Sequence, residues 1–132
     1  FFAYQRIPNI SMKVAASRAG FSGTIPGDTP AGYAFSGPIK YEQAAIVVSY
    51  KSNSDDRKFN IIQRPSNWSS EALLTNYVNS TNMRYQTYND QGLTVYVMER
   101  NNAAWVDNGI WYTLNGTDTL STEQVLAMAA SM

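Results

Sequence analysis

Acidic residues are the first candidates for chemistry in this chain, because it contains no histidine and no cysteine. Asp55 and Asp56 are adjacent, and two basic residues follow them directly. Two convergent carboxylates could bind a metal ion or divide the roles of general acid and general base. A turn of mixed charge is more typical of a solvated loop. Glu99 and Asp107 flank one further segment and could converge, but nothing else supports a reaction there. We therefore predict no catalytic residues, no metal site and no cofactor.

The absent residue types exclude several classes of site. Without cysteine there are no disulfides, thiolate nucleophiles or thiolate metal ligands. Without histidine the chain lacks the commonest general base, and a Ser-His-Asp triad is impossible. The serine-lysine spacing S-x-x-K and a glycine-rich phosphate loop are also missing. The formal net charge is zero and no basic block occurs, which argues against a nucleic acid partner.

Length and composition indicate one domain with its own core. The chain has 132 residues, of which 44% are apolar, enough to bury a core without a covalent staple. Only 15% of the residues are charged, which is low for a globular protein. Low charge with many asparagines, serines and threonines favours an exported or surface domain over a cytosolic enzyme.

The strongest local signal lies in the segment AAWVDNGIWYTLNG, residues 103–116. Asn108 and Gly109 predict a two-residue hairpin turn, because both turn positions require positive φ. Pairing from this turn places Trp105 opposite Tyr112. Alternation along each strand puts that pair on the more apolar face, where we expect core. Trp111 falls on the mixed face, which we expect to meet solvent or a ligand.

The remaining elements follow from periodicity and from helix caps. Ser121 to Gln124 forms a capping box, which predicts a C-terminal helix. Pro38 should interrupt the first strand region or confine it to an edge. Strands are predicted at 33–40, 43–51, 57–64, 83–89 and 93–100, and helices at 10–19 and 68–79. The fold class is α+β: an antiparallel, curved sheet of about six to seven strands built from hairpins. An N-terminal, a middle and a C-terminal helix should pack on one face of it.

The outward face of the last two hairpins is our candidate binding surface. Alternation places Trp111, Val106, Tyr96 and Met98 on that face. These four residues are the predicted binding set. The chain's many aromatic residues leave an alternative open, in which a concave sheet holds a lipid or another apolar ligand.

The first nine residues have a different character from the rest. Phe1 and Phe2 precede Arg6, an order typical of a chain leaving a transmembrane helix. We hypothesise that residues 1–9 are a juxtamembrane linker after an upstream anchor, and that residues 10–132 form a single α+β extracytoplasmic domain.

The C-terminal part of the chain resembles a known bacterial family. Trp105, Gly109, Tyr112 and Gly116 fit the pattern W-x-x-x-G-x-x-Y-x-x-x-G, and residues 120–131 fit L-S-x-E/D-x-x-L-x-x-A-x-S. This pattern is similar to that of domain-of-unknown-function family 4367. Upstream positions that also fit are Ile25, Pro26, Pro30, Gly32, Tyr33, Tyr50, Gln63 and Leu73.

The resemblance implies a location and a class of function. Members of the family often form the extracytoplasmic C-terminal part of single-pass membrane proteins, including anti-sigma-factor-like ones. The family has no established catalytic residues, and this chain lacks the residues of a zinc-binding anti-sigma segment. We therefore expect a non-enzymatic, membrane-tethered binding or sensor domain on the extracytoplasmic face of the bacterial cell membrane. Its expected partner is a protein, a peptide or an envelope component, and the alternative is a lipid.

Overall fold

The computed structural model describes residues 12, 15–17, 20–21, 23–27, 29–36, 39–42, 44–115 and 120–132. The predicted linker at 1–9 lies outside these residues, as do most of the predicted helix at 10–19, Pro38 and Gly116. Within the N-terminal region, Met12 and residues 15–17 are helical. Gly20 follows with φ of 85° and donates its N–H to the Ala16 carbonyl at 3.0 Å. This is the left-handed end expected of a helix that stops at glycine.

Within the described residues, one antiparallel sheet of eight strands forms the centre of the fold, so the predicted α+β class is confirmed. The strands are β1 (Tyr33–Phe35), β2 (Lys40–Glu42), β3 (Ala45–Ser52), β4 (Lys58–Pro65), β5 (Tyr85–Asp90), β6 (Leu93–Met98), β7 (Ala103–Asp107) and β8 (Ile110–Asn115). Their order across the sheet is β1-β3-β4-β8-β7-β6-β5, and β2 also pairs with β3. The region around Pro38 yields two short strands instead of one, as a residue without an N–H donor favours.

Two tight hairpins set the register of the last four strands. Asn108 and Gly109 both have positive φ, at 51° and 79°. The pairing that follows from this turn is confirmed, with Trp105 opposite Tyr112. Their rings stack with centroids 5.1 Å apart. The turn between β5 and β6 uses the same backbone geometry.

The middle helix is short and changes type along its length. Helix α1 (Ser70–Leu73) continues as a π-helical turn (Leu74–Val78) and a 3₁₀ turn (Asn79–Thr81). The Ser69 hydroxyl accepts the Ala72 N–H at 3.1 Å and begins the helix.

The C-terminal helix, α2 (Thr122–Ala130), begins at the predicted capping box. The Ser121 hydroxyl accepts the Gln124 N–H at 3.1 Å, and the Gln124 side chain accepts the Ser121 N–H at 2.9 Å. Two of the helix's exposed donors are thereby satisfied.

Helices cover both faces of the sheet, so the expectation that they cover one face is wrong. On one face α2 and the N-terminal helical residues close a main core. Its fully buried members include Ile61, Trp105, Leu114, Val125 and Met128. On the other face residues 68–81, here called the α1 region, close a second core, where Leu73 and Val78 pack with Tyr96, Met98 and Ala104. Both faces of β6 and β7 are apolar, and each face requires its own cover.

Buried and half-buried tyrosines are expected to make the fold sensitive to alkali. Burial raises the pKa of Tyr50 to about 12, and it also raises the pKa values of Tyr77, Tyr96 and Tyr112. A pKa raised in the folded state gives stability that is complete below the unfolded value, about 10, and is lost as pH rises towards 12. We expect the urea midpoint to fall between about pH 9 and about pH 11. The urea midpoint of the Tyr50→Phe variant should fall less than that of the wild type over the same pH interval. An unchanged midpoint would contradict the prediction.

Candidate functional site

The four predicted binding residues lie together on one face, in or against the second core. Tyr96 and Met98 are each only 4% exposed, so their expected placement on an open surface is wrong. The reason is the α1 region, whose Leu73 and Val78 pack with both residues in the second core. The Tyr96 hydroxyl donates to the Ser70 carbonyl at 2.8 Å and attaches β6 to the start of that helix. Burial is the main cause that raises the Tyr96 pKa, with smaller contributions from Tyr85 and Glu71.

Trp111 is half-buried in an aromatic cluster with Trp68 and Tyr77. Its ring centroid lies 4.9 Å from that of Trp68 and 5.0 Å from that of Tyr77. The Arg64 guanidinium sits 5.3 Å from the same ring centroid, a cation–π distance. Val106 packs against the second core and is also half-buried. These contacts fasten the α1 region to β8, so the geometry gives Trp111 a packing role.

The strand β5 forms one edge of the sheet, and β1 and β2 form the other edge. Strand β5 pairs only with β6 within the described residues, and five of its six side chains are exposed. Tyr85 is 38% exposed, and Met83, just before the strand, is 37% exposed. Edge strands are usually protected by lysine, proline or a covering segment, whereas β5 contains neither residue type. The sequence predicts a strand here but does not reveal that it is an edge, since the strand order depends on distant pairings.

The turn after β5 determines which backbone groups point outward. Gln91 and Gly92 form a two-residue turn with φ of 51° and 83°. In such a hairpin the flanking pair, Asp90 and Leu93, is hydrogen-bonded, and hydrogen-bonded pairs then alternate along the ladder. Gln86, Tyr88 and Asp90 therefore direct their N–H and C=O groups towards β6. Those of Tyr85, Thr87 and Asn89 point away from the sheet.

A cleft of about 740 Å³ opens at the start of β5. It runs between residues 83–88, the end of β6 with the 3₁₀ turn Glu99–Asn101, and Thr122 of α2. Apolar lining comes from Met83, Tyr85, Tyr88, Val97 and Met98. The charged groups in the cleft are Arg84, Glu99 and Arg100. Met98, one of the four predicted binding residues, thus also lines this cleft.

Of the carboxylates considered for chemistry, Glu99 and Asp107 do not converge. Glu99 lies in the cleft at one end of β6, whereas Asp107 lies beside Asp90 at the opposite end. The length of β7 separates them. Asp55 is held within its own turn, where the Arg57 Nε donates to its carboxylate at 2.9 Å. Those hydrogen bonds lower the pKa of Asp55 to about 2. In the part of the chain that the structure describes, potential metal ligands nowhere gather in threes.

The fold and its edge define an α+β domain built on an open antiparallel sheet. The chain belongs to the family Domain of unknown function (DUF4367), whose model matches residues 24–132. The match covers the whole sheet and α2, and it includes Trp105, Gly109 and Tyr112. No curated protein and no solved structure matches the chain. Among the described helices, none has the length and apolar character needed to cross a membrane.

Proposed function

We propose that this domain is a non-enzymatic binding module that takes up an extended protein segment as an additional strand along β5. The observation that carries the proposal is the row of outward backbone groups at Tyr85, Thr87 and Asn89 on an exposed strand. Strand addition gains affinity from main-chain hydrogen bonds and specificity from pockets for alternate side chains.

The cleft beside β5 supplies such a pocket. Tyr85 and Met83 offer exposed apolar surface next to the edge, and Met98 forms part of the cleft wall. Arg84 and Arg100 outnumber Glu99 among the charged lining groups. An incoming segment with an apolar residue flanked by an acidic one would match this lining.

The cellular setting of the module is part of the same proposal. Low charge and the family resemblance support a membrane-tethered sensor on the extracytoplasmic face of a bacterial membrane, with a protein, peptide or envelope component as partner. The alternative, a lipid or apolar-ligand carrier, requires space between the sheet and its helices. Trp105, Leu114 and Met128 fill that space on the α2 side and are fully buried, so strand addition is the better supported function.

The test uses peptides selected from a random phage-displayed library against the wild-type domain. Thr87→Pro removes one outward N–H without removing a donor from the β5–β6 ladder, a change that edge strands tolerate. We expect it to weaken binding at least about tenfold, whereas Thr87→Val, which retains the N–H, should bind as wild type does. Thermal unfolding of both variants checks that they are folded.

Amide hydrogen exchange gives a second, site-specific measurement. Bound peptide should slow exchange at Tyr85, Thr87 and Asn89, while the β6-facing amides between them change little. Equal binding of a selected peptide by folded Thr87→Pro would overturn the proposal, and so would failure to select any peptide with a wild-type domain that also stays monomeric.

A further inference from the structure

The sequence of the β5 edge is complementary to itself. Arg84 stands directly before the strand and Asp90 ends it, and the residues between them are uncharged. We propose that the segment added along β5 is β5 of a second copy of this chain, paired antiparallel about a two-fold axis at Thr87. This inference rests on the proposed function for the use of the edge, and it names the partner.

Backbone geometry permits this register. With Thr87 opposite its own counterpart, Tyr85 of one copy faces Asn89 of the other. All three residues direct their N–H and C=O groups outward, so outward groups meet outward groups along the whole strand. If one copy were shifted by one residue, the outward N–H and C=O groups of one strand would face residues of the other whose N–H and C=O groups are already bonded to β6. No hydrogen-bonded ladder would then form.

Charge then selects among the registers that can form a ladder. In the Thr87-centred register, Arg84 of each copy faces Asp90 of the other, which gives two equivalent ion pairs. Opposite charges directly across a strand pair are stabilising. Sliding one copy by two residues would instead place Arg84 opposite Tyr88 or Gly92. Both charges are exposed, and neither has an ion-pair partner among the described residues.

Two further properties suit a second copy. An interface about a two-fold axis uses the same patch twice, so it must be self-complementary. The chain has no formal net charge, so two copies experience no long-range repulsion from net charge. Pairing would also cover Tyr85, an exposed large hydrophobic residue. An edge contact of this size predicts a weak dimer whose population depends on concentration.

Charge reversal tests both the partner and the register. Arg84→Asp places two carboxylates opposite each other at each end of the interface, and Asp90→Arg places two guanidinium groups there. By sedimentation velocity, each single variant should dimerise at least about tenfold more weakly than wild type. An equimolar mixture of the two variants should form a heterodimer as tight as the wild-type dimer, because both ends are then complementary.

The outcomes separate this inference from the proposed function. Wild type that stays monomeric, single variants that dimerise like wild type, or a mixture that fails to associate would each overturn self-pairing. Thermal unfolding of the single variants verifies their folding. If wild type is monomeric but binds selected peptides in a manner lost with Thr87→Pro, the proposed function stands and self-pairing fails. If neither association occurs, both fail.

Discussion

Replacing Trp105 with alanine is expected to lower the free energy of unfolding by about 3–5 kcal/mol. The side chain is fully buried in the main core, and its ring stacks on Tyr112 at 5.1 Å. Truncation removes the largest fully buried side chain of the described residues and leaves a cavity beneath α2. Urea unfolding monitored by far-ultraviolet circular dichroism measures the loss.

Two matched variants show what the indole contributes. Trp105→Phe keeps an aromatic ring against Tyr112 and removes a buried indole N–H that has no hydrogen-bond partner among the described residues. We expect Trp105→Phe to lower the free energy of unfolding less than Trp105→Ala does. Trp111→Ala removes a half-buried indole from the cluster on the opposite face. It should also lower the free energy of unfolding less than Trp105→Ala does. A loss below about 1 kcal/mol for Trp105→Ala would show that the core is not packed around this ring.

Local signals explain why much of the fold could be predicted from the sequence. The register of β7 and β8 follows from Asn108 and Gly109 because a two-residue turn fixes every pair that follows it. The start of α2 follows from Ser121 and Gln124 because the capping box is complete within four residues. In both places the determinants are adjacent in the chain, so no knowledge of the tertiary structure is required.

The sheet edge and its second face depend on distant residues and could not be predicted in the same way. β4 lies beside β8, which follows it by some forty-five residues, and this pairing leaves β5 at the edge. The sequence does contain a signal for the burial of Tyr96 and Met98. Residues 95–98 form a continuous apolar run, and all four are buried, as is typical of a strand covered on both faces. An interpretation of this run as simple alternation assigns Tyr96 and Met98 to the solvent-facing side, which is why their burial was not predicted.

Gln63 illustrates a polar residue whose role the sequence pattern did not reveal. Its side chain is fully buried and bonds twice to the backbone of Thr24. The Gln63 Oε1 accepts the Thr24 N–H at 2.7 Å, and the Gln63 Nε2 donates to the Thr24 carbonyl at 2.7 Å. The Gln63 amide thus forms with Thr24 the two hydrogen bonds that the backbone of a neighbouring strand would otherwise form. A Cβ at Gly23 would lie 2.7 Å from the Gln63 Oε1, so a larger residue at this position would force the Gln63 amide to shift.

Gln63→Leu is therefore expected to lower the free energy of unfolding by about 2–4 kcal/mol, because it leaves two partly buried backbone groups without partners. Gln63→Glu is the matched control. The carboxyl that it introduces can donate to the Thr24 carbonyl only when protonated, so the folded state raises the pKa of this carboxyl above its unfolded value of about 4.3. The stability of this variant should be complete below that value and fall as pH rises through the folded pKa. Urea unfolding of Gln63→Glu across this range, with wild type measured alongside, tests the sign. Equal stability of Gln63→Leu and wild type, or a Gln63→Glu variant that gains stability relative to wild type as pH rises, would contradict the role assigned to this amide.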